Sequence, residues 1–156
     1  MKKILFASAV LLLFGNLAGC DLTNALAPDR DLTDTTWHLT SMGTWSKGSE
    51  DITLQFRPDS LVEGTGECNV YGGLYEADAD GSLSIHGRDG QPGVGSTKVY
   101  CPGGVKYDDY IRRLPAVESY SINGNHLTIK GKDHTILTFK AGPAPKSSVG
   151  FFEGED

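Results

Sequence analysis

The most reactive side chains in this sequence are three thiols, Cys20, Cys68 and Cys101. Cys20 closes the run Leu17-Ala18-Gly19-Cys20. Small residues before a cysteine let the chain lie extended in a peptidase cleft, and the thiol then acts as the nucleophile that takes a diacylglycerol. This pattern predicts lipidation at Cys20, which becomes the first residue of the mature chain. Two cysteines remain, an even number in an exported protein, and an oxidising compartment favours a disulfide between Cys68 and Cys101. It would close a loop of about 34 residues and restrict the unfolded chain by roughly 3–4 kcal/mol. Neither cysteine has a Cys-x-x-Cys partner or a nearby histidine at ligand spacing, so a metal pair is not expected.

The other candidates for chemistry are weaker. His38, His86, His126 and His134 fall in separate predicted strands or turns and form no HxxxH or HExxH pair. Solvated strand histidines are the expectation for them. The stretch 76–81 (Glu-Ala-Asp-Ala-Asp-Gly) alternates oxygen donors as a calcium loop does, but position 12 counted from Glu76 is Gly87, where a bidentate acid is required. A hairpin turn fits better. Gly90 to Gly95 lacks the lysine and the strand–helix setting of a phosphate loop. There is no Gly-x-Ser-x-Gly elbow, and the disulfide would silence Cys68 as a nucleophile. The reading is therefore non-enzymatic, with no metal and no cofactor.

Charge excludes a nucleic-acid surface. The chain is −6 overall, and with Lys2 and Lys3 removed 12 basic residues face 20 acidic ones, or −8. A phosphate-binding face needs clustered cations. The one adjacent pair, Arg112-Arg113, sits late in a predicted helix, where the dipole favours it.

These residues must be positioned by a modest domain. Lys2 and Lys3 followed by the apolar run 4–14 read as an export signal over residues 1–19, too short for a span of roughly 20 residues. Residues 20–31 read as a tether after the lipidated Cys20. Asp21 directly follows, a residue that in enteric-type bacteria often retains lipoproteins in the inner membrane. Residues 142–156 read as a disordered acidic tail whose only apolar feature is Phe151-Phe152. The domain between, 32–141, shows strand alternation at Trp37/Leu39/Ser41 and at Ile52/Leu54/Phe56. A turn at 57–60 leads to a strand over 61–65. A hairpin joins 72–77 to 83–86 around 78–81, and a long Gly/Pro loop over 87–96 precedes a short strand over 97–101. Asn123-Gly124-Asn125 marks a second hairpin between 118–122 and 126–130, and a strand over 135–140 follows. Tyr107, Tyr110, Ile111 and Leu114 form the apolar stripe of a helix over 106–114 that Pro115 stops. The fold class expected is mainly β (α+β). It would be a compact antiparallel sheet or partly closed barrel of about seven to eight strands with one short α-helix.

The middle of the chain reads Gly64-Thr65-Gly66-Glu67-Cys68-Asn69, then Gly72, and later Thr97-Lys98-Val99-Tyr100-Cys101, followed by the helix, a hairpin and a closing Leu137-Thr138-Phe139. With Thr36-Trp37-His38-Leu39 near the start, this resembles the META-domain (HslJ-like) family over roughly residues 31–141. The motif carried by the resemblance is Gly66, Cys68, Asn69, Gly72, Thr97 and Cys101. Val70 stands where members often carry a basic residue. The glycines suit bulges or close backbone approach, Asn69 can bond local backbone in a turn, and Cys68 and Cys101 would tie that turn to the strand before the helix. The resemblance implies an envelope lipoprotein linked to stress or antibiotic tolerance, without an established enzymatic mechanism. The expected partners are a membrane, through the anchor, and an envelope protein, peptide or wall component. The alternative is a small-molecule binder with a pocket between helix and sheet.

Overall fold

The computed structural model describes residues 30–46, 51–66, 68–88, 90–100 and 105–144. The expected signal, Cys20, Cys101 and most of the C-terminal tail lie outside them.

Among these residues ten strands and one α-helix follow in chain order: β1 (Thr36–Met42), β2 (Trp45–Ser46), β3 (Thr53–Phe56), β4 (Leu61–Gly66), β5 (Asn69–Ala77), β6 (Leu83–His86), β7 (Gly95–Ser96), α1 (Val105–Arg113), β8 (Val117–Asn123), β9 (His126–Gly131) and β10 (Ile136–Gly142). Eight of them run antiparallel in the order β6-β5-β4-β3-β1-β10-β9-β8, with β2 added to β1 and β7 to β5. The two outer strands then meet. Ser82 bridges Ser119, and the Tyr120 N–H donates to the Gly81 carbonyl at 2.8 Å. The result is a nearly closed barrel, mainly β, with a single short α-helix among the described residues. Closure leaves few unpaired backbone edges.

The barrel interior takes one face of each strand. Leu54 and Phe56 on β3, Val62 on β4, Tyr71 and Tyr75 on β5, Leu83 and Ile85 on β6, Leu127 and Ile129 on β9, and Leu137 and Phe139 on β10 are all buried. In β1 the alternation holds for Trp37 and Leu39 and then breaks. Leu39 pairs with Phe139 but Ser41 pairs with Thr138, so Thr40 is a bulge. A bulge inserts one residue and flips the face that follows, which buries Met42 where Ser41 was expected. The strand expected over 97–101 is also corrected. The paired residues are Gly95 and Ser96, against Gly72 and Tyr71, and 97–100 are irregular.

Helix α1 matches its stripe, since Tyr107, Tyr110 and Leu114 are buried and Ile111 is partly so. Pro115 lies at the start of a 3-10 turn, Leu114–Ala116, which carries the chain into β8. Asp109 pairs with both Arg112 and Arg113. Arg113 also donates to the Thr135 hydroxyl and lies 3.5 Å from Asp133, clipping the helix end to the β9–β10 turn.

Register sorts the loops between two mouths. Thr36 pairs with Gly142 on one side and Gln55 on the other, so β1 starts where β10 and β3 finish. That turn end also carries 57–60, 78–82 and 124–125. The opposite, helix end carries α1, the turn residue Cys68, segment 97–100 and the turn 132–134.

Candidate functional site

The motif residues gather at the helix end, in the turn between β4 and β5. Val62, Gly64 and Gly66 share the inward face of β4, two residues apart. A Cβ on Gly64 would lie 2.1 Å from the Thr53 carbonyl oxygen and 2.5 Å from the Tyr71 hydroxyl. A Cβ on Gly66 would lie 2.1 Å from Cδ2 of Tyr107. Two missing side chains therefore make the seat, leaving room for Tyr71 of β5 at Gly64 and for the helix residue Tyr107 at Gly66. Neither glycine has a positive φ, so close approach, not backbone freedom, requires them.

Buried tyrosine hydroxyls need partners, and the seat supplies them. Tyr71 donates to the Thr53 carbonyl at 2.7 Å, which leaves its oxygen to accept from Tyr110, also at 2.7 Å. Burial pushes both hydroxyls well above the ordinary tyrosine value. Tyr107, raised mainly by burial as well, donates to Ser96 Oγ at 2.7 Å, because Ser96 has already donated to the Thr97 carbonyl. These phenols remain protonated and serve as hydrogen-bonded core groups, not as acids or bases.

Asn69 organises the other side of the turn. It is 7% exposed, and its Oδ1 accepts from Val99 N–H at 2.8 Å and Thr97 Oγ1 at 2.9 Å, while Nδ2 donates to the Val99 carbonyl at 3.0 Å. Thr97 in turn accepts from Val70 N–H at 3.1 Å, and its own N–H donates to the Val70 carbonyl. One side chain thus fastens segment 97–99 to β5 without a ladder. Gly72 lies between β4 and β7, paired with Glu63 and Gly95. Beyond the clamp, Val99 is 57% and Tyr100 88% exposed, an apolar pair held out on a braced segment. Cys68 is exposed at the turn, its Sγ 3.9 Å from the Val99 carbonyl oxygen, two residues before Cys101. Gly66, Asn69, Gly72 and Thr97 are thus brought together on β4, β5 and the segment that Asn69 fastens.

The histidines stay apart. His86 bonds the neighbouring Gly87 carbonyl, His126 is half-buried at the start of β9, and His134 occupies a turn at φ +61°. His38 departs from the expectation of a solvated ring. Its side chain is 15% exposed, with Nδ1 2.8 Å from Asp51 and Nε2 2.8 Å from the Pro143 carbonyl. Gly142 makes room, since a Cβ there would lie 2.5 Å from the ring. The sequence signal was faint, a histidine in an alternating strand and a glycine 104 positions later. Among the described residues no group of three or more His, Cys, Asp or Glu could hold a metal.

The acidic stretch 76–81 ends β5 and forms the hairpin turn that follows it, at 78–81. Asp80 accepts from the Ser82 N–H, which holds its carboxyl below the usual range, and Asp78 accepts from the Ser82 hydroxyl. Gly81, at φ +88°, offers the carbonyl that Tyr120 uses to close the barrel. At the same end a shallow cleft of about 200 Å³ is lined by Asp34, Gln55, Phe56, Arg57, Pro58 and Glu63. Arg57 is already met there by Glu63 at 3.2 Å and Asp59 at 3.8 Å.

Comparison with known proteins agrees with this layout. A family model described as the META domain matches residues 30–143. A solution structure of a protein from Burkholderia xenovorans is similar at TM-score 0.55 and 21% identity, covering 91% of this chain and 99% of that one. A crystal structure of a DUF4847 family protein from Bacteroides vulgatus is similar at TM-score 0.50 and 14% identity, covering 70% and 93%. At these identities the likeness concerns the fold alone. No curated protein matches the chain.

Proposed function

The chain belongs to the META-domain family, and from that premise we propose that it is a lipid-anchored envelope protein that works by binding, in stress or antibiotic tolerance. Its partner is an envelope protein, a peptide or a wall component, and it carries out no reaction of its own. Cys20 takes the lipid, and Cys68 pairs with Cys101. The observation that carries the binding reading is the exposed pair Val99 and Tyr100 on a segment fixed by Asn69. Ordering that segment in advance lowers the entropy lost on association, and an exposed aromatic on a rigid base is a favoured anchor for a protein surface. The disulfide is supported by the distance already given from Cys68 to Val99, which brings the chain before Cys101 to the same turn.

The small-molecule alternative needs space between helix and sheet. Tyr107 fills that space against Gly66, and the fully buried Tyr110 bonds the Tyr71 hydroxyl there, which favours the first reading. A photoreactive amino acid at position 100 in intact cells, read by mass spectrometry, tests it. A discrete adduct is expected from position 100 and not from exposed position 118. Identical adducts from both, or none from position 100, would overturn the assignment of this surface.

A further inference from the structure

We propose that the barrel hangs from the bilayer by its turn end, so that the helix end with Val99 and Tyr100 faces away from the membrane. This rests on the anchor at Cys20. The carrying observation is where the chain enters the domain. The Arg30 N–H donates to the Gly124 carbonyl at 3.2 Å, and its Nε donates to Asn125 Oδ1 at 3.0 Å. Arg30, ten residues after Cys20, is therefore clipped to the β8–β9 turn, on the turn end of the barrel.

Chain length then limits the geometry. Nine residues, 21–29, separate Cys20 from Arg30. Their ten virtual bonds reach at most about 35 Å. The nine residues of β5 run the barrel's length, close to 30 Å at about 3.3 Å each before tilt. Bringing the helix end to the bilayer would require the tether to lie stretched along the barrel wall with almost none of its reach to spare. The turn end meets no such limit. Its exposed carboxylates Asp59, Asp78 and Asp80 keep it from sinking among anionic headgroups. Strand β10 finishes there too, with the Ala141 N–H on the Asn125 carbonyl.

The test uses the full lipidated protein in phosphatidylcholine vesicles. A fluorophore is attached through an azide-bearing amino acid at position 79, exposed at the turn end, or position 132, exposed at the helix end. Energy transfer to a headgroup-labelled acceptor lipid is expected to be several-fold stronger from 79 than from 132. Inserting about twenty Gly/Ser residues between Ala25 and Leu26 lengthens the tether past the barrel and should shrink that contrast. Equal transfer from both sites in protein that floats with the vesicles would overturn the orientation while leaving the anchor standing. A contrast that survives the insertion would overturn the tether argument. Protein that fails to float would overturn the anchor and the orientation with it.

Discussion

Gly66→Ala probes the packing of the helix on the barrel most directly. The new methyl would sit 2.1 Å from Cδ2 and 2.6 Å from Cε2 of Tyr107, so the ring must withdraw by about 1 Å to reach ordinary contact. Tyr107 is 3% exposed, and its hydroxyl is tied to Ser96, so the ring has little room. Overpacking of this kind costs about 1–3 kcal/mol. Disturbing the buried hydroxyl bond adds about 1 kcal/mol. Against this, replacing glycine by alanine stabilises by about 0.4–1 kcal/mol through the unfolded chain. The net expectation is a loss of about 2–3 kcal/mol, from a total of about 5–15 for a domain of this size. Gly95→Ala is the control, since its methyl would meet only the Gly72 carbonyl at 3.7 Å, and it should move stability by less than about 0.5 kcal/mol. Urea unfolding supplies both values. The decisive step is a double-mutant cycle with Tyr107→Ala. On that background Gly66→Ala should be neutral or slightly stabilising, so the coupling should approach the whole cost of the single change. Additivity within about 0.5 kcal/mol would refute the steric account.

Gly64→Ala should cost more than Gly66→Ala in the same assay, and Tyr71→Phe should not rescue it, because the Thr53 backbone carbonyl at 2.1 Å cannot be trimmed away. Asn69→Ala removes the three bonds to Thr97 and Val99 and should cost about 2–4 kcal/mol. Hydrogen exchange should quicken at the Val99 amide and not at Ile129, and unchanged Val99 protection would count against the clamp. Burial raises Tyr71 and Tyr110 in the folded state, so the unfolded chain loses those protons first. Stability should be full below about pH 10 and fall above it by about 1.4 kcal/mol per pH unit for each tyrosine. Tyr110→Phe should reduce that slope by one tyrosine's share, and identical slopes would contradict the burial. Alkylation without reductant, followed by intact-mass measurement of a soluble form lacking Cys20, should add no label, whereas two labels would refute the Cys68–Cys101 disulfide.

Local patterns made much of the fold legible. Trp37 and Leu39, Leu54 and Phe56, and Leu137 and Phe139 alternate because one face of each strand is buried, and the Tyr107–Leu114 stripe follows helical period. Features set by distant partners were not legible. Thr40 offers no local sign of a bulge, which comes from fitting β1 against β10. Gly95 and Ser96 form a strand only by pairing with Gly72 and Tyr71 of β5, more than twenty residues earlier. The motif residues could be gathered by resemblance, but the reason for Gly66 lies on a helix some forty residues away. The two bonds of His38 depend on Asp51 and Pro143, which periodicity does not reach.

The pairing of β1 with β10 governs when this domain can form. The strand that begins near residue 36 takes the partner along one whole side from β10, about a hundred residues later. Contacts at such separation make folding slow relative to helical domains of equal size. A growing chain cannot complete its seam until residues 136–142 are free, and until then β1 offers an open edge for association. A truncation within β10 would therefore do more than shorten the product. It would leave the first strand half-paired in every molecule, turning a closed barrel into a species prone to aggregate.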